Sequence, residues 1–200
     1  MKYYRIVLLL TIMYILGFGA LNAAEKTGFD IKVSCSHGME HTLDDWAGNW
    51  LILEWVNFEC PYVKKHYETK NMQKLQKKYT TMGVKWLSVC SSAPGNEGYF
   101  DNQSINRRIK LYQANISMYL VDEKGDLARA YDVKTTPTIV VINPEGEIMY
   151  QGSIDDKPTS NKKDIEGARN YLSEIMDAVL KGRPAPITST KSYGCPVEYE

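Results

Sequence analysis

The sequence predicts an α/β fold with a central mixed sheet flanked by helices. Three observations carry that prediction. Two apolar runs of strand length, WLILEWVN at 50–57 and VKWLSVC at 84–90, are continuous rather than alternating, the pattern of central strands covered on both faces. Segments of helical period separate the strand-like runs, which implies parallel strands joined by crossovers. Late in the chain, TPTIVVINPEGEIMYQGSI holds two strand-like runs around an Asn-Pro-Glu-Gly turn, a hairpin that adds an antiparallel edge.

Taken in order, residues 1–24 open with Lys2 and Arg5, continue with an apolar run from Ile6 to about Phe18, and close on Ala20, Ala23 and Ala24. This is the pattern of a cleavable secretory signal, slightly short for a membrane anchor. No cysteine follows the small residues, so no lipid attachment is expected. The expected product is therefore exported, periplasmic or extracellular, with no stable membrane insertion after cleavage. Its domain is expected over 25–182, with a C-terminal tail over 183–200.

An opening strand is expected around Phe29–Ser34, then a turn and a helical half-turn in HTLDDWAGNW. From Pro61 to about Thr81, Val63, Tyr67, Leu75 and Tyr79 follow a helical period that Gly83 ends. SSAPGNEGYF reads as a loop, and Asp101 is placed to cap a polar helix. SMYLVD reads as a short strand and GDLARAYDV as one short helix. A last helix is expected over 161–181, with Ile165, Ala168, Leu172, Ile175, Met176 and Val179 on one face. The tail GRPAPITSTKSYGCPVEYE, with little periodicity, reads as a loose end or a clasp.

The 24 basic and 24 acidic residues cancel, so neither nucleic acid nor an anionic membrane surface is expected as a partner. Export permits disulfides, and the four cysteines Cys35, Cys60, Cys90 and Cys195 allow three full pairings. Cys35, His37 and His41 form C-x-H-x-x-x-H without an obvious fourth ligand, so no metal is assigned, and no cofactor.

Cys60 is the candidate nucleophile. It sits between a buried strand and a helix, where unpaired N–H groups and the helix dipole favour an anion and hence a thiolate. Pro61 suits the first helical position. Lys64 and Lys65 add positive charge and Glu59 opposes it. KTTPTIVVI suggests a cis-proline turn at Pro137. Glu54, inside LILEWV, is either exposed, held in a salt bridge, or a raised acid able to shuttle protons, with the salt bridge preferred. His66 reads as a surface residue and Cys90 as core filling.

WVNFECPYV, KTTPTIVVINPEGEIMYQGSIDD and the helical C-terminal region together resemble the thioredoxin superfamily, and more closely its peroxiredoxin-like (AhpC/TSA, redoxin) branch, over about residues 28–182. SYGCPVEY is similar to that branch's usual ending. The resemblance implies a thioredoxin-like fold in which Cys60 faces Thr136 and Pro137, with the Thr136 backbone free to pair with a peptide. Two departures matter. Asn57 stands where a C-x-x-C pair has its first cysteine, and Leu53 and Asn57 stand where a peroxiredoxin has proline and threonine.

A lone thiolate needs a second thiol to resolve what it forms, and Cys195 on the tail is the preferred candidate. The expected activity is exported thiol–disulfide exchange, with Cys60 and Cys195 catalytic and Asn57, Glu54, Thr136 and Pro137 supporting. The partner would be a protein or small-molecule disulfide, or a hydroperoxide. A peroxiredoxin-like peroxidase is the second reading and a non-catalytic peptide-binding module the third. The electron donor is not legible.

Overall fold

The computed structural model describes residues 27–199; the expected export signal, residues 1–24, lies outside them. The strands are β1 (Val33–Cys35), β2 (Glu40–His41), β3 (Leu51–Trp55), β4 (Lys85–Cys90), β5 (Met118–Val121), β6 (Thr135–Thr136), β7 (Thr138–Ile142), β8 (Ile148–Gly152) and β9 (Cys195–Pro196). The helices are α1 (Pro61–Glu68), α2 (Asn71–Thr81), α3 (Asn102–Tyr112), α4 (Asp126–Ala130) and α5 (Tyr171–Val179).

Seven strands form one sheet in the order β2-β1-β5-β4-β3-β7-β8. β3, β4 and β5 run parallel, while β7, β8, β1 and β2 join antiparallel. Both predicted runs occupy the centre, as their two-sided apolarity requires: β3 is buried at every position. Leu51, Leu53 and Trp55 pack on one face with Leu127, Ala128 and Tyr131. Ile52 and Val56 pack on the other with Val63, Tyr67, Leu75, Tyr79, Ile175 and Met176 of α1, α2 and α5. The Asp101 carboxylate accepts from the Ser104 N–H at 2.7 Å and caps α3 as expected.

Several elements differ from the sequence expectation. The opening strand is three residues long and folds back into β2, with the Cys35 N–H donating to the Met39 carbonyl. The helix expected over 61–81 is two helices, separated by Lys70 at φ +63°. The break is stabilised by local side chains: the Thr69 hydroxyl donates to the Lys65 and His66 carbonyls, and Gln73 Nε2 to the Tyr67 carbonyl, satisfying carbonyls that a longer helix would use. The helix expected over 161–181 is also interrupted. A 3-10 turn spans Lys162–Ile165, and α5 begins afresh at Tyr171, capped by Asn170 accepting from the Ser173 N–H at 2.8 Å. Among the described residues, no helix is long and apolar enough to cross a membrane.

Candidate active site

Four residues make the turn that presents Cys60. The Asn57 carbonyl accepts from the Cys60 N–H at 3.0 Å, and Asn57 Oδ1 accepts from the Glu59 N–H at 2.8 Å. Asn57 therefore shapes the turn rather than offering its carbonyl oxygen outward. Gly98 allows the fit, since a β-carbon there would sit 2.5 Å from Asn57 Cγ. Cys60 caps α1 with extended backbone, Pro61 opens the helix, and the cysteine side chain is 0% exposed. Its thiol donates to the Thr136 carbonyl at 3.2 Å. The Thr136–Pro137 bond is cis.

The tail arrives at the same place. β9 pairs antiparallel with β6, with Thr136 opposite Cys195 and Thr135 opposite Pro196. Gly194, at φ +133°, is required here: any β-carbon would lie 1.9 Å from the Thr136 oxygen. Cys195 is half-buried, and it pairs with Thr136, whose carbonyl accepts from the Cys60 thiol. Burial and the neighbouring Cys60 and Glu97 push the Cys195 thiol up to about 12, with Lys64 opposing. Both cysteines carry free thiols.

A polar chain holds the tail down. The Gln151 N–H donates to the Thr188 carbonyl at 3.0 Å, Thr190 Oγ accepts from the Ser153 N–H at 3.0 Å, and the Val197 N–H donates to the Lys134 carbonyl at 2.9 Å. Between them, the Tyr193 hydroxyl donates to Asp155 Oδ1. Asp155 is fully buried beside an equally buried Lys65, whose ammonium lies 3.3 Å from Asp155 Oδ2, 3.3 Å from the Tyr193 oxygen and 2.8 Å from the Lys157 carbonyl. Burial lowers the Lys65 ammonium and Asp155 raises it back. Lys65, Asp155 and Tyr193 have no local sequence signal that sets them apart. The apolar face set by Val63 and Tyr67 points position 65 the other way, so the burial of the lysine was not legible.

His66, expected at the surface, is buried. Its Nε2 lies 3.8 Å from Asp155 Oδ2 and Nδ1 pairs with Asn71 Nδ2 at 2.8 Å. Burial lowers its pKa to about 4, with the Asp155 carboxylate opposing and Lys65 assisting. Glu54 corrects the salt-bridge expectation: it is 0% exposed and has no cationic partner among the described residues. Tyr67 Oη donates to it at 2.8 Å, Trp86 Nε1 at 2.8 Å, Ser88 Oγ at 3.1 Å and Gln76 Nε2 at 3.2 Å. Burial raises this carboxyl, and the four hydrogen bonds pull it back. None of the four donors is Cys60.

Cys90 ends β4 in the core, its thiol donating to the Gly98 carbonyl at 3.4 Å and pushed up by burial. Cys35 is buried on the opposite face of the sheet, His37 is exposed, and His41 pairs with Asp45 at 2.7 Å. Among the described residues no cluster of His, Cys, Asp and Glu is arranged to hold a metal.

Comparison with known proteins places this geometry. A hypothetical protein of Sinorhizobium meliloti superposes with a TM-score of 0.76 at 25% identity, over 88% of this chain and 94% of the other. An uncharacterized conserved protein of Geobacillus kaustophilus gives 0.70 at 21% identity, over 85% and 88%. A putative thiol:disulfide interchange protein DsbE of Chlorobium tepidum gives 0.50 at 21% identity, over 63% and 82%. A search of curated proteins returned no match. The family model described as AhpC/TSA family matches residues 25–151, more than half of the chain and all of the Cys60 and cis-proline framework, though not the tail. The chain thus belongs to the AhpC/TSA family, and its mixed sheet flanked by helices is a thioredoxin-like fold.

Proposed function

We propose that this protein is an exported thiol–disulfide oxidoreductase that cycles between a Cys60, Cys195 dithiol and a Cys60–Cys195 disulfide. The observation that carries the reading is the β6–β9 register, which sets Cys195 against Cys60 across Thr136. Asn57 has removed the local partner of a C-x-x-C motif, and the tail supplies one from 135 residues further along the chain. The two thiols are unequal. Cys195 is pushed up to about 12, whereas Cys60 caps α1, whose N-terminal N–H groups favour an anion when the thiol gives up its proton.

In the cycle, Cys60 gives up its proton and attacks one sulfur of a substrate disulfide as the thiolate, and that proton passes to the first departing substrate sulfur. The substrate S–S bond breaks, and a mixed disulfide forms. Cys195 then attacks Cys60 Sγ, its proton passing to the departing substrate sulfur. The substrate gains two electrons and two protons, and the protein is left as the disulfide. In reverse, the same steps oxidise a dithiol. Export rests on the pattern of residues 1–24.

Peptide mapping after mild oxidation tests the reading, with a Cys60–Cys195 crosslink as the expected product. Cys195 remaining free while Cys60 pairs with Cys90 would remove the resolving role. Cys60 alkylating no faster than a free model thiol would remove catalysis altogether and leave a peptide-binding module.

One observation favours the second reading, peroxide reduction: Cys60 is 0% exposed beneath its own tail, which suits a small oxidant. Attack on the distal peroxide oxygen would give a Cys60 sulfenic acid and water or an alcohol, and Cys195 would condense with it, releasing water. Leu53 packs into the opposite core and has no donor, and Asn57 is fixed in the turn by its Oδ1 accepting from the Glu59 N–H, so the proline and threonine positions do not supply the usual donors of a peroxidase site. Slow turnover with hydrogen peroxide is expected. Rapid stoichiometric sulfenic acid formation at micromolar peroxide would reverse the ranking.

A further inference from the structure

Beside the thiol pair lies a cleft of about 750 Å³ between the start of α1 and the end of α3. Phe58 and Glu59, the two residues before Cys60, form one wall, and Lys64, one helical turn beyond Cys60, borders it. The floor is apolar: Phe58 stacks on Tyr112 with ring centroids 5.4 Å apart, and Leu111 is 75% exposed, among the most exposed large apolar residues described.

The rim is basic, with Lys64, Arg107, Arg108 and Lys110 against a single carboxylate, Glu59. Glu59 is already neutralised by Arg108, whose guanidinium lies 3.4 Å from the carboxylate and over the Phe100 ring. Among the described residues, Lys64, Arg107 and Lys110 have no carboxylate partner. Three cations without an ion-pair partner, of which Arg107 also feels the Asp101 carboxylate, around an apolar floor are complementary to an anion with an apolar skeleton. The volume is that of a small-molecule site. The cleft is also electrically connected to the redox pair, because the Lys64 charge acts on the Cys195 thiol.

We propose that this cleft docks the electron donor of the thiol pair, a small thiol bearing one or more carboxylates, with its carboxylates against Lys64, Arg107 and Lys110. The proposal rests on the Cys60–Cys195 reading and deepens it by naming the class of reductant. A donor is favoured over an oxidising substrate because Cys195 is the partly exposed sulfur and Cys60 is not exposed.

The donor thiolate attacks Cys195 Sγ of the disulfide, the S–S bond breaks, and Cys60 leaves as a thiolate at the α1 N-terminus. A second donor thiolate attacks the donor sulfur of the mixed disulfide. Cys195 leaves and takes up a proton, and the donor disulfide departs. Two donor thiols supply the two electrons and two protons.

The test begins with the diamide-oxidised protein, in which mapping has verified the Cys60–Cys195 bond. Its reduction rate is followed with mercaptosuccinate, 2-mercaptoethanol and cysteamine, each normalised to the same thiol's rate on a small neutral disulfide. At about 10 mM ionic strength the anionic thiol should be favoured over the neutral one by about tenfold, and the cationic one disfavoured. At about 1 M salt, where the screening length falls to about 3 Å, the preference should collapse. It should also collapse in an Arg107→Glu, Lys110→Glu double variant, whose positions are both exposed.

Equal normalised rates for the three thiols would overturn the proposal while leaving the Cys60–Cys195 cycle intact. So would an anion preference that survives the double variant. A charge preference confined to oxidation by a carboxylate-bearing hydroperoxide would overturn it in favour of a substrate site. Absence of the Cys60–Cys195 bond after oxidation would overturn the cycle and this inference together.

Discussion

Cys60 and Cys195 meet across one pair of residues, yet the molecule brings them there by opposite means. Cys60 is held by the scaffold, at the junction of a central strand and a helix and among buried side chains from both. Cys195 is held by a tail tied down by hydrogen bonds along its length: Thr188 and Thr190 at Gln151 and Ser153, Tyr193 at Asp155, Val197 at Lys134 and Glu198 at Ala93 and Asn96. The tail also packs apolar side chains, Ala185, Ile187 and Cys195 against one core and Val197 and Tyr199 against the other, so lifting it costs that packing as well as the hydrogen bonds. On the proposed cycle the nucleophile is fixed by the scaffold, and the tail is the part that must lift for a substrate sulfur to take the position of Cys195.

The two regions also share a foundation at the buried Lys65–Asp155 pair. Lys65 is on the helix that Cys60 caps, and Asp155 receives the Tyr193 hydroxyl from the tail. Breaking that pair should erase the contrast. Lys65→Met leaves the Asp155 carboxylate buried without its cation and should cost about 3–5 kcal/mol of global stability, read as a lower urea midpoint. A loss under about 1 kcal/mol would mean that water or Tyr193 replaces the lysine.

His66 sharpens the same foundation through pH. Its folded pKa, about 4, lies below the ordinary 6.5, so the unfolded chain binds the proton more readily. The neutral ring's contribution is complete above pH 6.5 and is lost as pH falls from there through about 4, amounting to about 3 kcal/mol at most. Glu54 and Asp122, both raised by burial, act with the opposite sign over an overlapping range. The measurement is therefore the difference between wild type and His66→Asn, which keeps an acceptor for Asn71. Parallel stability profiles for the two proteins between pH 7 and 4 would contradict the assignment.

The scaffold half of this contrast was legible in the sequence; of the tail half, Cys195 and the clasp alternative were legible, and the contacts that seat the tail were not. The runs around Leu53 and Leu87, the Asn143–Gly146 turn and the Asp101 cap declare themselves within a few residues, because strand burial, turn chemistry and capping are local. The partners of Glu54 are at 67, 76, 86 and 88, and only the packing of two helices against two strands brings them to one carboxylate. Tyr193 is one of 14 tyrosines, and its role appears only when Asp155 is in view. The break at Lys70 was hidden because Thr69 and Gln73 secure it with side-chain bonds that leave the apolar period of 61–81 undisturbed.

Gly194 separates the halves directly. In Gly194→Ala the new methyl group would overlap the Thr136 oxygen, and the positive φ disfavours any side chain, so β9 should lift from β6. Scaffold stability should stay within about 0.5 kcal/mol, since no core residue moves. Formation of the Cys60–Cys195 disulfide should slow by about 100-fold, as the tail thiol loses its high effective concentration. Quenched alkylation followed by mass measurement reads both thiols. Unchanged disulfide kinetics would show that the strand pairing does not deliver Cys195.

The smallest change probes the latch itself. Tyr193→Phe keeps the ring that packs against Tyr62, with centroids 5.9 Å apart, and the Lys65 ammonium 5.3 Å from the ring centre. It removes only the hydroxyl bonded to Asp155. Asp155 retains Lys65 and the Lys157 N–H at 3.0 Å, so the ion pair survives and the global urea midpoint should scarcely move. What weakens is docking of the tail, by about 1–2 kcal/mol for a hydrogen bond to a charged acceptor. In equilibrium with a reference dithiol, the Cys60–Cys195 disulfide should become about tenfold easier to reduce, because the ordered tail that favours the bond is less populated. Hydrogen exchange should show faster opening at Val197 and at the Thr190–Gln151 bond, with β3 and β4 unaffected. A redox equilibrium unchanged by Tyr193→Phe would assign the latch to packing alone, whereas a falling urea midpoint would mean that the tail is as much a part of the fold as the strand it pairs with.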